Sequence, residues 1–373
     1  MVITKHKIMR GVLAAAAAVL ILGGTAWAGS APQAGQPISQ VVVLGDSLSD
    51  NGNLFELIGL PPPPYWQGRM SNGPVTVEQL AQRLGVPLRD FAWIGATTGV
   101  GNGVDGGTAD TLGSSGLPGM TMVFQNAFQA DTIDPNALYV LWGGANDLRS
   151  ATNPVEASVV IGKAVTNLVS MVVTLQSLGA TQILVLNMPD LGKTPLALAM
   201  GPLISYFFTQ VTVGFNQSLE INLPPGVHYF DAFSRFSDTI GHPEEYGLSN
   251  VTDQLLLTPG ADPNTYCFWD GAHPTTAGHA IVANALYESI APTVIIGGND
   301  SGVPNLLLST GSTISDLIAL AAIDADNHDQ FVTSVASITN DLMKSGLISG
   351  SQKGAIQSCA AQAMIPPLER LRP

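Results

Sequence analysis

Short apolar runs alternate with longer helical patterns through most of the chain. Five runs rich in Val, Ile, Leu and aromatic residues are predicted strands: 38–44, 88–92, 137–142, 182–188 and 227–231. Five stretches between or after these strands have a helical pattern of apolar residues and are predicted helices: 75–84, 120–130, 155–178, 202–221 and 275–290. Near-continuous apolar strands separated by helices indicate a parallel sheet covered on both faces, so the predicted fold class is α/β.

The pattern changes near the end of the chain. Residues 297–305 (GGNDSGVPN) have the composition of a linker. The stretches 303–346 and 353–363 have apolar residues three and four positions apart, and we predict that they are mostly helical. The sequence therefore predicts a main domain over 38–296 and a small helical appendage over 297–373, for which it indicates no role.

Two stretches are predicted loops. Residues 95–119 are rich in Gly, Ser and Thr, and they are interpreted as a long mobile loop near the ligand-binding edge of the sheet. Residues 61–66 (PPPPYW) are interpreted as a stiff, exposed turn on the surface, with a lip that contacts substrate as the alternative.

The first 28 residues have the form of a secretory signal peptide. Basic residues precede an apolar run, and Ala26 and Ala28 form an A-x-A cleavage site before Gly29. We therefore predict a signal peptide over 1–28, a short linker over 29–37, and a secreted or periplasmic mature protein. An uncleaved membrane anchor is the alternative, because the uncharged run is nearly long enough to span a bilayer.

Composition and charge narrow the function classes. Hydrophobic residues make up 46% and charged residues 11% of the 373 residues, which is typical of a globular protein with a sizeable core. Without residues 1–28, 11 basic and 28 acidic side chains remain, and the formal net charge is −17. A chain this acidic is not expected to bind nucleic acid through a basic surface. Cys267 and Cys359 lack the paired spacing of a zinc site, and export would permit a disulfide between them without requiring it.

The stretch VVVLGDSLSDNGN (41–53) joins an apolar strand to a run of turn-forming and cap-forming residues. Ser47 stands in this run, and its hydroxyl is a candidate nucleophile at the carboxyl end of the strand. The polar residues around it are expected to satisfy the backbone where strand becomes helix: Asp46, Ser49, Asp50 and Asn51. Ser47 would then lie at a helix start, where the helix dipole favours negative charge. The alternative is an ordinary strand-to-helix turn.

A serine nucleophile needs a histidine base and a group that orients the histidine. The chain after residue 28 has five histidines: His228, His242, His273, His279 and His328. His273 is the one that has an aspartate three residues earlier, Asp270, in the stretch CFWDGAHPTTAGH. On a tight turn this carboxylate can reach the inner ring nitrogen, so Asp270 would orient His273 and His273 would accept the serine proton. An N-cap aspartate beside a surface histidine is the alternative.

Two other predicted strands end in groups that suit an oxyanion hole. In WGGANDL (142–148), two glycines precede Asn146, whose side chain supplies an N–H donor. In FAWIGATTG (91–99), the backbone N–H of Gly95 could point into the same site. Each stretch is also compatible with an ordinary turn or helix cap.

The order of these motifs closely resembles that of the GDSL, or SGNH, family of serine esterases and lipases. The blocks that carry the resemblance are VVVLGDSLSDNGN, GRMSNGPVTVEQLA, FAWIGATTG, GGAND and FWDGAHPTTAGH. The likeness covers residues 38–290 and is nearest to the secreted phospholipase/lecithinase-like bacterial branch. It implies a three-layer α/β/α, flavodoxin-like fold with a five-stranded parallel sheet.

The resemblance also implies roles for individual residues. Ser47 would be the nucleophile, and Asp270 and His273 would complete the catalytic triad. The oxyanion hole would be formed by Ser47, Gly95 and Asn146. Ile94 departs from the family's pattern, in which two adjacent glycines often precede the alanine.

The function implied is hydrolysis of a carboxylic ester through an acyl-enzyme, with no metal and no other cofactor. The substrate would be a small-molecule or lipid ester, and a transient contact with a lipid surface is left open. Acyl transfer and polysaccharide O-deacetylation use the same triad, and both stay as alternatives. A non-catalytic binding or anchoring protein on the same scaffold is a further alternative. No oligomeric state is predicted.

Overall fold

A five-stranded parallel sheet forms the centre of the molecule. The computed structural model describes residues 37–128 and 133–365, so the predicted signal peptide lies outside the described residues. The strands, in the spatial order β2-β1-β3-β4-β5, are β1 (Val41–Gly45), β2 (Leu88–Asp90), β3 (Leu138–Trp142), β4 (Gln182–Leu186) and β5 (His228–Phe230). Each lies within a predicted strand or one residue beyond it, and the predicted α/β class is confirmed.

Helices follow or precede each strand. In chain order they are α1 (Asn53–Ile58), α2 (Thr76–Leu84), α3 (Met120–Ala127), α4 (Ala145–Leu148), α5 (Pro154–Ser177), α6 (Pro195–Ala199), α7 (Pro202–Asn222), α8 (Ala232–Gly241) and α9 (Thr276–Ile290). The five predicted helices correspond to α2, α3, α5, α7 and α9. Helix α5 begins where the Asn153 side chain accepts the N–H groups of Val155 and Glu156, with Pro154 in its first turn.

The sheet separates two hydrophobic cores, because successive strand residues point to opposite faces. Val42 and Leu44 of β1 lie in one core with inward residues of α3, α5 and α7. Val41 and Val43 lie in the other core with inward residues of α2 and α9. The molecule is therefore a three-layer α/β/α structure. Helix α5 is long and apolar enough to cross a membrane, and its inward face lies in the first of these cores.

Two short strands between α8 and α9 were not predicted. The chain between α8 and α9 forms β6 (Asn250–Gln254) and β7 (Tyr266–Phe268), which pair in parallel outside the main sheet. Strand β6 is mostly polar and partly exposed, and β7 is only three residues long, so neither gives a clear strand signal. Strand β7 leads directly into the segment that carries Asp270 and His273.

The loop over 95–119 folds back on itself. Its backbone forms several internal hydrogen bonds, including Thr97 N–H to the Gly101 carbonyl at 3.2 Å and Gly101 N–H to the Thr108 carbonyl at 3.0 Å. The buried Asn102 side chain donates to the carbonyls of Ile94 and Pro118 and accepts from a backbone N–H. The segment is thus a packed loop with its own hydrogen-bond network.

The stretch 297–305 was expected to be a linker, and this expectation is wrong. It lies in an antiparallel hairpin of β8 (Thr293–Ile296) and β9 (Asn299–Pro304), with Gly297 and Gly298 at the turn. The helices α10 (Ile314–Asp324), α11 (His328–Lys344) and α12 (Gly350–Gln362) follow. The hairpin and these helices share a small hydrophobic core, and the predicted domain boundary falls at the hairpin turn.

The part of the chain that follows the hairpin turn, residues 299–365, is called the tail below. It packs against the edge strand β5. Tyr229 N–H donates to the Gly311 carbonyl at 2.8 Å, and His228 Nε2 lies 2.8 Å from Asp316 Oδ2. The tail thereby covers an otherwise open sheet edge. Both cysteines are free: Cys267 is buried in β7, and Cys359 is partly exposed on α12.

Candidate functional site

Ser47 lies in a tight turn at the carboxyl end of β1. The Asp46 carbonyl accepts the N–H groups of Ser49 and Asp50, both at 3.0 Å. Ser47 is 9% exposed at this turn. The predicted position at a helix start is wrong, because helix α1 begins only at Asn53. A helix dipole therefore does not act directly on Ser47.

Two aspartates stabilise this turn as predicted. Asp46 Oδ1 accepts the N–H of Leu48 at 3.1 Å. Asp50 Oδ1 accepts two N–H groups at the start of α1, and its Oδ2 accepts the Ile94 N–H at 2.8 Å. Ser49 does not take part as expected, because its buried hydroxyl has no partner in the described part of the chain.

The structure brings Ser47, His273 and Asp270 together across more than two hundred residues of chain. Ser47 Oγ lies 2.9 Å from His273 Nε2. His273 Nδ1 lies 2.9 Å from both carboxylate oxygens of Asp270. Asp270 Oδ1 also accepts the N–H groups of Ala272 and His273 at 2.8 Å each, which forms the tight turn expected from the three-residue spacing.

The surroundings of Asp270 set the tautomer of His273. Burial alone would raise the pKa of Asp270, but the positive charge and hydrogen bond of His273 and two backbone N–H groups outweigh it and lower the pKa to about 2. An ionised carboxylate only accepts hydrogen bonds, so Nδ1 of His273 carries the hydrogen. In the neutral ring Nε2 is then the acceptor for the hydroxyl of Ser47.

Tyr65 is a member of the site that the sequence did not reveal. Its hydroxyl donates to Asp270 Oδ2 at 2.9 Å, and its ring packs edge-on against Trp269 with 5.9 Å between centroids. Burial and the neighbouring Asp270 charge raise the pKa of Tyr65, so the phenol keeps its proton and donates. The interpretation of 61–66 as a purely exposed turn is wrong for this residue.

Asn146 lies in α4, immediately after the carboxyl end of β3. Its Nδ2 donates to the Ala96 carbonyl at 2.9 Å, which uses one of its two hydrogens. The next residue, Asp147, accepts the backbone N–H of Thr98 at 2.8 Å and its hydroxyl at 2.9 Å. Two adjacent contacts thus join the Asn146 segment to the loop that follows β2.

Gly95 occupies a position that only glycine fits. Its φ is +80°, and an added Cβ would lie 2.5 Å from Asn102 Oδ1 and 2.6 Å from Val104 Cγ2. In the described ranges, neither the Gly95 N–H nor the Ser47 N–H donates to another group of the chain. The catalytic roles of these residues, like those of the triad, stay predictions.

A mostly apolar cavity of about 80 Å³ lies beside Ser47. Ser47, Asn146 and His273 line it, whereas Gly95 is not among its lining residues. Apolar side chains form much of its wall: Leu48, Trp142, Leu191, Phe236, Phe268 and Ile281. The site therefore combines a serine–histidine pair with an apolar pocket large enough for a small acyl group.

A second cavity, of about 240 Å³, lies between α7, β5 and α10. It is lined by polar and acidic groups such as Glu220, Asp231 and Asp316, and it contains no serine–histidine pair. Ser47 and His273 line the smaller cavity instead. In residues 37–128 and 133–365, no cluster of three or more His, Cys, Asp or Glu side chains is arranged to hold a metal ion.

The buried Asp46 beside the nucleophile should make stability depend on pH. Burial raises its pKa from 3.8 to about 6, although the Leu48 N–H and His273 oppose the shift. The folded protein therefore holds this proton more tightly than the unfolded chain. The stabilisation is complete below about pH 4 and is lost as the pH rises through about 6.

We expect Asp46→Asn, which mimics the protonated side chain, to gain stability relative to wild type as the pH rises from 4 to 8. The rise in the pKa of Asp46 corresponds to a change of about 3 kcal/mol in the free energy of unfolding. Urea denaturation at the two pH values measures it, with the exposed Asp326→Asn as the control. An equal difference between variant and wild type at both pH values would contradict the prediction.

The chain is similar to a known protein family and to individual known proteins. Residues 41–286, from β1 into α9, match the family model described as GDSL-like Lipase/Acylhydrolase. Phosphatidylcholine-sterol acyltransferase of Aeromonas hydrophila is 29% identical over 244 residues, which are 62% of this chain and 70% of that protein. A GDSL esterase/lipase of Arabidopsis thaliana is 28% identical over 312 residues, which are 69% of this chain and 88% of that protein.

Two further proteins are similar to the chain. Thermolabile hemolysin of Vibrio parahaemolyticus is 27% identical over 316 residues, which are 71% of this chain and 67% of that protein. Among solved structures, an acetylxylan esterase from Geobacillus stearothermophilus is 15% identical, with 69% of this chain and 97% of that chain covered and a TM-score of 0.40. Because the family model matches more than half of the chain, this protein belongs to the GDSL-like lipases/acylhydrolases and is a carboxylic ester hydrolase.

Proposed function

We propose that this ester hydrolase works through an acyl-enzyme on Ser47. The observation that carries the proposal is the 2.9 Å distance between Ser47 Oγ and His273 Nε2. Asp270 supports it, because an ionised carboxylate on Nδ1 leaves Nε2 free to accept the hydroxyl proton. The non-catalytic alternative offers no reason for three polar groups to meet beside an apolar cavity.

In the proposed reaction, Ser47 Oγ attacks the ester carbonyl while His273 takes its proton. His273 then gives this proton to the departing alkoxide, and the alcohol leaves. A water molecule, deprotonated by His273, attacks the acyl-enzyme and releases the acid. The negative oxygen formed in each half-reaction would be held by the N–H groups of Ser47 and Gly95 and by the second Nδ2 hydrogen of Asn146.

A fluorophosphonate probe tests the nucleophile directly. We expect the probe to modify the intact protein once, on the peptide that contains Ser47, as seen by mass spectrometry after digestion. Modification of another serine, or none while ester hydrolysis continues, would contradict the assignment.

We expect Asn146→Ala to lower kcat by about 10²–10³-fold, because one oxyanion donor is lost. The KM for p-nitrophenyl butyrate should change much less, since the interaction strengthens in the transition state. Thr98→Val is the matched control: it removes the hydrogen bond of the Thr98 hydroxyl to Asp147 but removes no donor from the site. An equal loss of kcat in both variants would assign the effect to displacement of the loop.

The apolar cavity supports an acyl group rather than a polar substituent as the part of the ester bound beside Ser47. p-Nitrophenyl esters of increasing chain length, followed by a phospholipid and an acetylated sugar, separate esterase, lipase and deacetylase activities. Acyl transfer is a second candidate, because one relative is named an acyltransferase. Acyl transfer requires an alcohol to replace water at the acyl-enzyme. Analysis of the products formed with an added alcohol measures the ratio of acyl transfer to hydrolysis.

We also propose that the mature protein is exported and begins at Gly29, as the A-x-A pattern at 26–28 predicts. The N-terminal residue of the protein recovered from the medium or periplasm tests this. Residues 38–296 would carry the ester hydrolysis, and 297–373 would be an appended segment.

A further inference from the structure

Exposed apolar side chains are concentrated in a segment next to the candidate catalytic turn. This rim segment, residues 194–206, forms α6 and the first turns of α7. Its exposed large apolar residues are Leu196, Leu198, Met200, Leu203 and Tyr206. No Asp, Glu, Lys or Arg occurs from Thr194 to Leu219. A contiguous exposed apolar segment of this kind is typical of an interaction surface.

The rim segment is bonded directly to the turn that carries Asp270 and His273. The Leu196 N–H donates to the Gly271 carbonyl at 2.8 Å. A further exposed leucine, Leu257, belongs to a short turn whose Leu256 N–H donates to the Trp269 carbonyl at 2.9 Å. Two exposed apolar segments therefore border the same catalytic turn.

Helix α1 and the residues just after it carry further exposed apolar side chains. Phe55, Leu57, Ile58 and Leu60 are exposed there. The loop that follows contributes Tyr65, whose hydroxyl bonds to Asp270. Glu56 is the one charged residue between positions 51 and 68. The nearly uncharged stretch 51–68 therefore reaches the catalytic turn through Tyr65, as the rim segment does through Leu196.

The rim segment is continuous with the apolar cavity beside Ser47. Leu191 and Thr194 line the cavity, and Thr194 also caps the start of α6 through its bond to the Ala197 N–H at 3.3 Å. The rim segment thus begins where the cavity wall ends. An acyl chain that moved from this surface to Ser47 would cross apolar surface along the way.

We propose that the rim segment seats the enzyme on an uncharged or zwitterionic lipid surface, from which the ester enters the cavity. This inference rests on the proposed ester hydrolysis at Ser47. The net charge selects the kind of surface. The predicted mature chain carries −17, although two exposed basic residues, Lys193 and Arg149, lie near the cavity. An anionic surface would repel this protein, whereas a zwitterionic one allows apolar contact.

Two exposed aliphatic residues on α7, Leu203 and Ile221, provide a matched test. Leu203, in the rim segment, is 82% exposed, and Ile221, at the other end of the helix, is 81% exposed. They lie about 27 Å apart along the helix axis. Replacement of either by Gln keeps the net charge and suits a helix. The two variants therefore differ mainly in their distance from the catalytic turn.

Binding is measured by sedimentation with phosphatidylcholine vesicles, in a Ser47→Ala background so that no lipid is consumed. We expect Leu203→Gln to weaken binding about fivefold to tenfold, and Ile221→Gln to leave it unchanged. At low salt, vesicles that contain anionic lipid should bind less protein than vesicles of phosphatidylcholine alone. Equal effects of the two variants, or binding that requires anionic lipid, would overturn the proposal.

Activity separates this inference from the proposed function. With catalytic Ser47 present, Leu203→Gln should lose activity on an ester in vesicles and keep wild-type activity on monomeric p-nitrophenyl butyrate. No hydrolysis of the monomeric ester by wild type would contradict the proposed function, while vesicle binding would still be measurable. A change of oligomeric state in Leu203→Gln, without a change in vesicle binding, would assign the surface to self-association and overturn the lipid proposal.

Discussion

Replacement of Ser47 by Ala is expected to lower kcat for p-nitrophenyl butyrate by about 10⁶-fold, with little change in KM. The hydroxyl oxygen is the atom that would form the acyl bond, and among residues 37–128 and 133–365 the Ser47 hydroxyl is the one that contacts His273 Nε2, at 2.9 Å. The oxyanion donors and the cavity would persist in the variant. A small residual rate above that in water is therefore expected.

Ser49→Ala is the matched control for this experiment. Ser49 is two residues further along the same turn, and its hydroxyl is buried with no partner in the described part of the chain. Its removal should leave kcat unchanged and should not lower stability, because no hydrogen bond is lost. Wild-type activity in Ser47→Ala would show that Ser47 is not the nucleophile. An equal loss in Ser49→Ala would assign the effect to a disturbed turn and not to the Ser47 hydroxyl.

The central sheet could be predicted because its strands are buried on both faces. Runs such as 41–44 (VVVL) and 138–142 (LYVLW) are apolar without alternation, which is the pattern of a parallel sheet under two helical layers. The helices between them are long, and several start at recognisable caps such as Asn153–Pro154. The sequence and the structure agree for these strands and helices because apolar runs and helix caps can be recognised in a short stretch of sequence.

The features that were missed depend on contacts between distant residues. Nothing within 61–66 indicates that Tyr65 donates to Asp270, two hundred and five positions later. The turn at Ser47 was expected to open a helix, but Asp50 bonds to Ile94 and to the start of α1 and so delays the helix to Asn53. Tertiary contacts decided both outcomes.

The hairpin β8–β9 is a different kind of error. The two glycines at 297–298 were interpreted as part of a linker because of the composition of 297–305. They are preceded by the apolar run TVII at 293–296, and two glycines after such a strand are also a signal for a tight hairpin turn. Composition was given more weight than the pattern of the neighbouring residues.

The candidate triad was predictable in part because two of its members are close in sequence. The three-residue spacing of Asp270 and His273 fits a tight turn, and the turn forms as expected. The meeting of His273 with Ser47 is a consequence of topology, which no local pattern reveals. There the order of the motifs and their likeness to a family carried the prediction.

Replacement of Asp270 by Asn is expected to lower kcat by roughly 10⁴-fold at pH 8, with the fold retained. The amide oxygen can still accept the N–H groups of Ala272 and His273 that shape the turn. The amide NH₂, however, can donate to His273 Nδ1, which favours the tautomer with hydrogen on Nε2. That tautomer cannot accept the proton of Ser47.

The pH profile gives this prediction a second readout. With a pKa of about 2, Asp270 stays ionised through the range in which the enzyme can be assayed, so its own protonation should not shape the acid side of the wild-type profile. Loss of activity in Asp270→Asn should therefore persist at every pH between 5 and 9, rather than move along the pH axis. Asp262→Asn, an exposed cap eight residues earlier, is the control and should leave kcat unchanged. More than a tenth of the wild-type kcat in Asp270→Asn would mean that this carboxylate does not control the tautomer of His273.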